Sequence, residues 1–155
     1  MRKLSIITLL FAPLIAMAQS QTGTVKFKNP STLHTPKGYS HAAIVDLGNC
    51  KMIILSGQVS LDKNGNLVGK DDVGKQAQQV FENIKNALSE CGADMKQIVK
   101  INYYLTDVSN IQVVRNVRDK YINTETPPTS TLVEVSKLFR EEILLEIEVT
   151  AIVFK

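Results

Sequence analysis

The stretch PPTSTLVEV, residues 127–135, places three hydroxyl side chains at the entrance of an alternating, β-branched run. Its two prolines restrict the backbone that enters this run, so the chain reaches the predicted strand at a fixed angle. Thr129, Ser130 and Thr131 can offer hydrogen bonds from defined positions there, but they carry no charge. A ligand site that used this entrance would have to take its charge from elsewhere in the chain.

Metal chemistry has little support in the sequence. Residues 62–73 are similar to a calcium loop at three positions, but Leu67 stands where the turn glycine belongs and Val73 where the bidentate acid belongs. We therefore expect no metal site.

The cysteines and histidines do not form a catalytic motif either. Cys50 and Cys91 have no CxxC or Cys/His spacing, and could form a disulfide in an oxidising compartment or act as small buried apolar residues. His34 and His41 are the only histidines, and neither has a serine or cysteine in a recognisable triad arrangement. This favours a structural role for both histidines over acid–base chemistry.

Patterning predicts two helices within a set of strands. The first helix runs from an N-cap at Asp71–Asp72 to Gly92, with apolar residues three and four positions apart, and the second runs from about Ile111 to Ile122. Alternating runs predict strands in the following order: SHAAIVDL, CKMIILSGQVS, QIVKINYYLTD, STLVEV and LLEIEVTAIVF. Strands before, between and after two helices predict an α+β sandwich with both helices on one face of a single sheet.

The other face of that sheet needs cover as well. Several strand residues suggest apolar side chains on more than one face, namely Ile53, Leu55, Ile101, Val133, Leu145 and Ile147. A small sheet with one uncovered apolar face drives association, so the patterning predicts an oligomer.

Residues 1–18 have the features of a cleaved secretory signal peptide. A basic start precedes an apolar run from Leu4 to Ala16, and small residues flank the cleavage position after Ala18. Pro13 interrupts the run, which is shorter than the roughly 20 residues that a membrane-spanning helix needs. We expect residues 19–155 to form one domain in a secreted or periplasmic protein, without a membrane anchor after cleavage.

Charge argues against nucleic acid as a partner. Without Arg2 and Lys3 of the predicted signal peptide, 16 Lys and Arg face 15 Asp and Glu, so the net charge falls from +3 to +1. A protein of nearly zero net charge gains no electrostatic support for binding phosphates.

The chain resembles the RidA/YjgF family of reactive intermediate deaminases. The resemblance covers nearly all of residues 19–155, in order, through KGYSHA (37–42), LSGQV (55–59), QAQQVFENIKNALSECGA (76–93), YLTD (104–107), STLVEV (130–135) and LEIEVTAI (145–152). It implies a chorismate-mutase-like fold, a homotrimer with clefts between subunits, and hydrolysis of imine or enamine acids such as 2-aminoacrylate. It also implies that no metal or organic cofactor takes part.

The resemblance assigns roles to two residues of this chain and leaves one role of the family without its usual residue. Tyr39 in GYS matches a tyrosine that closes the pocket, and Glu146 in LEIE matches a glutamate that orients the attacking water. The arginine that grips the substrate carboxylate has no counterpart, because Ser130 occupies its position. Leu132 replaces a cysteine two residues later, and Thr131 between them adds a second hydroxyl to this predicted wall.

The missing charge has several possible sources. Arg115 falls where the family places a pocket-lining asparagine, so it could bind an anionic ligand from the helix side. Arg115 and Arg118 could equally form a solvated helix flank, Glu146 could simply face water, and Tyr39 could be a core or interface aromatic. A lysine could also supply the charge.

Two functions follow from these residues. The first is an exported RidA-like hydrolase of small imines or enamines, whose activity on 2-aminoacrylate is expected to be weak because Ser130 replaces the arginine. The second is a non-catalytic trimeric protein that binds or scavenges a small, possibly anionic ligand. RNA cleavage ranks last, since there is neither a basic patch nor a histidine pair in a cleaving arrangement.

Overall fold

The computed structural model describes residues 23–155, so the predicted signal peptide lies outside the described residues. Six strands form one mixed sheet in the order β1-β2-β3-β6-β4-β5. Neighbouring strands are antiparallel except β4 and β5, which are parallel. The bounds are β1 Val25–Lys28, β2 Ala42–Asp46, β3 Cys50–Gln58, β4 Ile98–Leu105, β5 Thr129–Glu134 and β6 Leu145–Phe154.

Helix α1, Val73–Glu90, follows the signals that predicted it. The Asp72 carboxylate accepts a hydrogen bond from the Lys75 backbone N–H at 3.0 Å and caps the first turn. At the other end, Gly92 has a φ of +81°, the left-handed conformation that glycine adopts most readily after a helix. The predicted cap, apolar stripe and stop are all confirmed.

Helix α2, Ile111–Arg118, is shorter than predicted. After Arg118 the chain continues in a turn, because Tyr121 is drawn towards α1. Its ring stacks on Phe81 with centroids 5.3 Å apart, and its hydroxyl donates to Glu82 at 2.8 Å. A tertiary contact therefore ends the helix earlier than the sequence pattern indicates. Two single-turn 3-10 helices, Met95–Gln97 and Val108–Asn110, lead into β4 and α2.

Both helices cover the same face of the sheet. Successive strand residues point to opposite faces, so alternate residues of β3, β4 and β6 share the core with α1 and α2. Five of the six residues expected on more than one face are fully buried here, namely Ile53, Leu55, Ile101, Leu145 and Ile147. The α+β architecture is confirmed, and the six residues do lie on more than one face, because Val133 pairs with Tyr104 and shares the helix-free face with it.

The helix-free face carries the sixth of these residues, Val133, together with other apolar side chains. Its exposed apolar residues lie on four strands and comprise Val25, Phe27, Ile54, Val133 and Phe154. Phe27 and Phe154 are 72% and 79% exposed, which is unusual for phenylalanine in a chain that stays monomeric.

Two smaller features complete the fold. Cys50 at the start of β3 and the buried Cys91 after α1 are both free thiols. No helix within residues 23–155 is long and apolar enough to cross a membrane.

Candidate functional site

A cavity of about 1000 Å³ opens where the β1–β2 segment, the end of β3 and the start of β6 meet. Tyr39, Ser56, Gly57 and Glu146 are among the residues that line it. Its volume is in the range of small-molecule sites in proteins. The two residues expected to be catalytic, Tyr39 and Glu146, thus lie at one cavity within a single chain.

Glu146 presents an unpaired carboxylate to this cavity. It lies on the helix-free face of β6, opposite Tyr104 in β4. The next carboxylate on that face, Glu148, accepts hydrogen bonds from Asn102 and Tyr104 at 2.6 and 3.1 Å, whereas Glu146 has no such partner within residues 23–155. Burial and the neighbouring Glu148 charge raise the pKa of Glu146. A half-buried carboxylate with a raised pKa and free oxygens can accept a proton from a bound water.

A bulge in β3 makes room for this carboxylate. The register between β3 and β6 shifts between Leu55 and Gln58, so the strand bends at Ser56 and Gly57. A Cβ atom on Gly57 would lie 1.7 Å from Glu146 Oε1. Glycine at this position is therefore required for Glu146 to keep its rotamer.

Tyr39 reaches the cavity from the segment between β1 and β2. Its hydroxyl lies 2.9 Å from His34 Nε2, and both side chains line the cavity. Burial, and the nearby charge of Glu146, raise the pKa of Tyr39, so its hydroxyl stays protonated at neutral pH. No sequence pattern placed His34 in the site, because its contact with Tyr39 depends on how the connecting segment folds.

Glu90, at the end of α1, anchors the beginning of that segment. Its carboxylate accepts backbone hydrogen bonds from Ser31 and Thr32, both at 3.0 Å, and further bonds from their hydroxyls. These bonds lower the pKa of Glu90, mainly through the Ser31 backbone N–H. The segment that carries His34 and Tyr39 is thus attached to the helix layer at one end and to β2 at the other.

Two lysines give the cavity a positive side. Lys37 and Lys63 line it from the segment before β2 and the loop after β3. The ion pairs of residues 23–155 involve other side chains, so neither ammonium is neutralised by a neighbouring carboxylate. The sequence allowed a lysine as the replacement cation without indicating which one.

The hydroxyl-rich strand β5 is an edge strand of the sheet, and β4 separates it from β6, which carries Glu146. Ser130 and Leu132 pair with Ile101 and Tyr103 of β4, so they share the helix-covered face, and Leu132 packs against its core. Thr131 points to the helix-free face, where its hydroxyl accepts a hydrogen bond from Lys100 Nζ at 2.7 Å.

None of these three β5 residues lines the cavity of Tyr39 and Glu146 in the same chain. A single site that used both groups of residues would have to combine two copies of the chain.

Arg115 is exposed on α2 and is also absent from the lining of this cavity. Its neighbour Arg118 pairs with Asp119 at 2.7 Å and lies beside the buried Tyr103. Within one chain, Arg115 and Ser130 therefore belong to the α2–β5 side of the molecule, away from Glu146.

Comparison with known proteins identifies the chain's relatives. The family model described as Endoribonuclease L-PSP matches residues 30–153. The chain belongs to the RidA/YjgF family. A RutC family protein of Pyrococcus abyssi is 34% identical over 113 residues, which cover 73% of this chain and 84% of the relative.

Solved structures of family members have the same fold. RidA from the Antarctic bacterium Psychrobacter sp. matches with a TM-score of 0.68 at 30% identity, covering 83% of this chain and 98% of its own. TdcF of E. coli, whose structure contains bound serine, has a TM-score of 0.68 at 27% identity and covers the same shares of the two chains. The family predicted from the sequence motifs is thus confirmed.

No group of three or more His, Cys, Asp or Glu side chains in the described part of the chain is arranged to hold a metal ion. In the loop of residues 62–73, which is similar to a calcium loop at three positions, the first carboxylate makes hydrogen bonds within the loop. The carboxylate of Asp62 accepts hydrogen bonds from Asn64 and Asn66, so it closes its own turn.

Proposed function

We propose that the mature chain is an exported hydrolase of small imines or enamines, and that it converts them to the carbonyl compound and ammonia. The observation that carries the proposal is the convergence of Glu146 and Tyr39 on one cavity, with the Glu146 carboxylate unpaired and its pKa raised. Family membership supports the same class of reaction.

The proposed chemistry begins with a water molecule held by Glu146. As the water oxygen bonds to the imine carbon, Glu146 accepts one proton of the water and passes it to the imine nitrogen. The product is a carbinolamine, in which one carbon bears both a hydroxyl and an amino group. Its collapse breaks the C–N bond and forms the carbonyl. Imines hydrolyse in water without a catalyst, so orientation and general-base catalysis are enough for useful acceleration.

Lys37 and Lys63 are the proposed receivers of an anionic end of the substrate. Both line the Glu146 cavity, and an ammonium group can bind a carboxylate by charge-assisted hydrogen bonds. A lysine is a flexible point charge, whereas the family's arginine forms a planar two-pronged contact. We therefore expect weaker selection for 2-aminoacrylate than an arginine-bearing member would have.

Arg115 is the competing source of charge, and it would act from a second copy of the chain. Replacing both Lys37 and Lys63 with alanine should weaken binding of a small keto acid by about 10-fold or more, close to the worth of one charged hydrogen bond. Arg115→Ala should have little effect, and Arg118→Ala serves as its control. Calorimetry that finds a large loss in Arg115→Ala alone would transfer the role to Arg115.

Assembly is proposed to be a homotrimer through the helix-free faces. The exposed Phe27 and Phe154 support burial of this face between copies, and such an arrangement can bring β5 of one copy to the Glu146 cavity of another. Analytical ultracentrifugation of residues 19–155 should give three times the chain mass at micromolar concentration. A monomer under these conditions would contradict the proposal.

Export rests on residues 1–18, which the sequence patterning marks as a signal peptide. Two aspartates placed within the Leu4–Ala16 run should abolish export. An unchanged periplasmic yield of the processed protein would refute this part of the proposal.

The hydrolysis itself is tested with an imine formed in the assay from an amino acid by an oxidase. Wild-type protein should accelerate loss of the imine, and Glu146→Gln should remove at least 100-fold of that acceleration. Glu125→Gln, a matched change in an exposed loop, should leave the rate unchanged. Equal rates for the wild type and Glu146→Gln would refute the assignment of Glu146.

A non-catalytic binding protein is the second candidate. It is favoured by the replacement of the family arginine with Ser130, and serine occupies a site in the solved structure of E. coli TdcF. Wild-type protein that binds keto acids or amino acids in calorimetry, but accelerates hydrolysis of none of the corresponding imines, would establish this alternative.

A further inference from the structure

Three aromatic rings cluster beside the Glu146 cavity, and all come from the short segment between β1 and β2. The His41 ring meets those of His34 and Tyr39 edge-on, with centroids 4.9 and 5.2 Å away. His34 Nε2 lies 2.9 Å from Tyr39 Oη. Two of the rings, those of His34 and Tyr39, line the cavity, while His41 is buried behind them.

His41 fixes the position of His34. Its side chain is 1% exposed, and its Nε2 donates to the backbone carbonyl of His34 at 2.8 Å. A carbonyl can only accept, so Nε2 of His41 carries a proton. On the other side of the ring, the amide nitrogen of Gln58 faces Nδ1 at 3.5 Å and also donates to the Ser56 carbonyl. This arrangement makes His41 a rigid support for His34.

The contact between His34 and Tyr39 has two forms that differ in where the protons lie. When His34 is neutral at Nε2, the Tyr39 hydroxyl donates to it and presents only lone pairs to the cavity. When His34 is protonated, its Nε2–H donates to Tyr39 Oη, and the phenolic hydrogen is free to point at a ligand. The presence of a proton on His34 Nε2 therefore decides whether Tyr39 can act as a donor in the cavity, and only the doubly protonated ring can also give that proton away without becoming an anion.

We propose that His34 and Tyr39 form a proton relay to the leaving nitrogen of the substrate. The inference rests on the proposed hydrolysis. As the C–N bond of the carbinolamine breaks, its electron pair moves to nitrogen, which takes the Tyr39 proton. Tyr39 takes the Nε2 proton of His34, and the hydroxyl proton of the carbinolamine goes to Glu146. The proton on Glu146 then returns to His34 through solvent, which restores both groups.

The surroundings of the relay suit this exchange. Burial and the nearby His41 lower the pKa of His34, which makes protonated His34 a stronger acid than a free imidazolium. The other titratable groups at the cavity are Glu146 on β6, Lys37 on the same segment and Lys63 on the loop after β3. In this pathway Tyr39 is the catalytic donor and His34 acts through it.

The pH profile of the reaction separates a relay from simple positioning. The relay needs protonated His34, so the rate should fall as the pH rises through the pKa of His34. His34→Gln keeps a side-chain amide that can hold Tyr39 but does not titrate. We expect a loss of about 10- to 100-fold in kcat, and the alkaline limb due to His34 should disappear. Tyr39→Phe should produce a similar loss, and added imidazole should partly restore His34→Ala.

An NMR titration gives a readout that does not depend on turnover. The imidazole nitrogens of His34 should titrate at a different pH in Tyr39→Phe, since the hydrogen bond to Oη is lost. An unchanged His34 titration would overturn the relay.

The outcomes of the kinetic experiment distinguish the relay from the reaction. If His34→Gln keeps the wild-type rate and the alkaline limb while Glu146→Gln is inactive, the relay is wrong and the hydrolysis stands. If wild-type protein accelerates no imine hydrolysis, the proposed function fails and the relay fails with it.

Discussion

Replacing Gly57 with alanine would place a methyl carbon 1.7 Å from Glu146 Oε1, 2.6 Å from its Cδ and 2.8 Å from its Cγ. These distances are far below van der Waals contact, so the carboxylate has to swing away from the bulge. Gly57 does not have a positive φ, and its backbone conformation is therefore open to alanine. The change displaces the proposed base without straining the strand.

The expected loss of activity follows from the role of Glu146. General-base catalysis by a positioned group is worth about 10²- to 10⁴-fold, so a displaced carboxylate should cost at least about 100-fold in kcat, or about 2.7 kcal/mol of transition-state stabilisation. Stability should change by less than about 1 kcal/mol, because Glu146 has no hydrogen-bond partner to lose within the described part of the chain.

The assay compares kcat for imine hydrolysis with the unfolding midpoint in urea. Gly74→Ala is the matched control, since a Cβ there meets its neighbours at an ordinary 3.4 Å and should change neither quantity much. If Gly57→Ala keeps wild-type activity while Glu146→Gln is inactive, Glu146 does not act as the base in the rotamer seen in the structure.

Three further predictions concern the pH dependence of the rate, the stability of the fold and the role of Ser130. Glu148→Gln removes a charge that raises the pKa of Glu146, so the acid limb of the pH–rate profile should move to lower pH; an unmoved limb would assign it to another group. Gln76→Ala should cost about 2–3 kcal/mol in urea unfolding, because this fully buried side chain makes three hydrogen bonds to backbone groups, while the exposed Gln78→Ala should be nearly neutral. Ser130→Arg should raise activity on 2-aminoacrylate if the family contact can be rebuilt; a folded but unimproved variant would indicate a cleft adapted to another ligand.

The elements of the fold could be predicted because their signals are local. The Asp72 cap, the apolar stripe of α1 and the stop at Gly92 lie within one continuous segment, and alternation marks β2 to β6 in the same way. Strand β1, Val25–Lys28, was not predicted, and it is a strand through its pairing with β2. The end of α2 was misplaced because it depends on Tyr121 meeting Phe81, a residue 40 positions earlier in the chain. Such a contact leaves no periodic signal.

The candidate site was likewise predicted only in part, because some of its residues depend on contacts between distant segments. The resemblance assigned roles to Tyr39 and Glu146, but none to His34, Lys37 or Gly57, since these residues enter the cavity through the path of a connecting segment and through a bulge. The sequence also did not decide on which face of the sheet Ser130 lies, because a shift of one residue in strand register would exchange the two faces. Only the pairing of β5 with β4 decides it.

The sequence by itself determined the family, the α+β class and the order of the two helices and five of the six strands, since each is written in residue identity or in short-range periodicity. The tertiary structure decided which side chains share a cavity. It placed a histidine against the tyrosine and a glycine beneath the glutamate, and it separated Ser130 from Glu146 on opposite faces of one sheet. Strand pairing and chain path set these distances, and both are fixed only when segments far apart in sequence pack together.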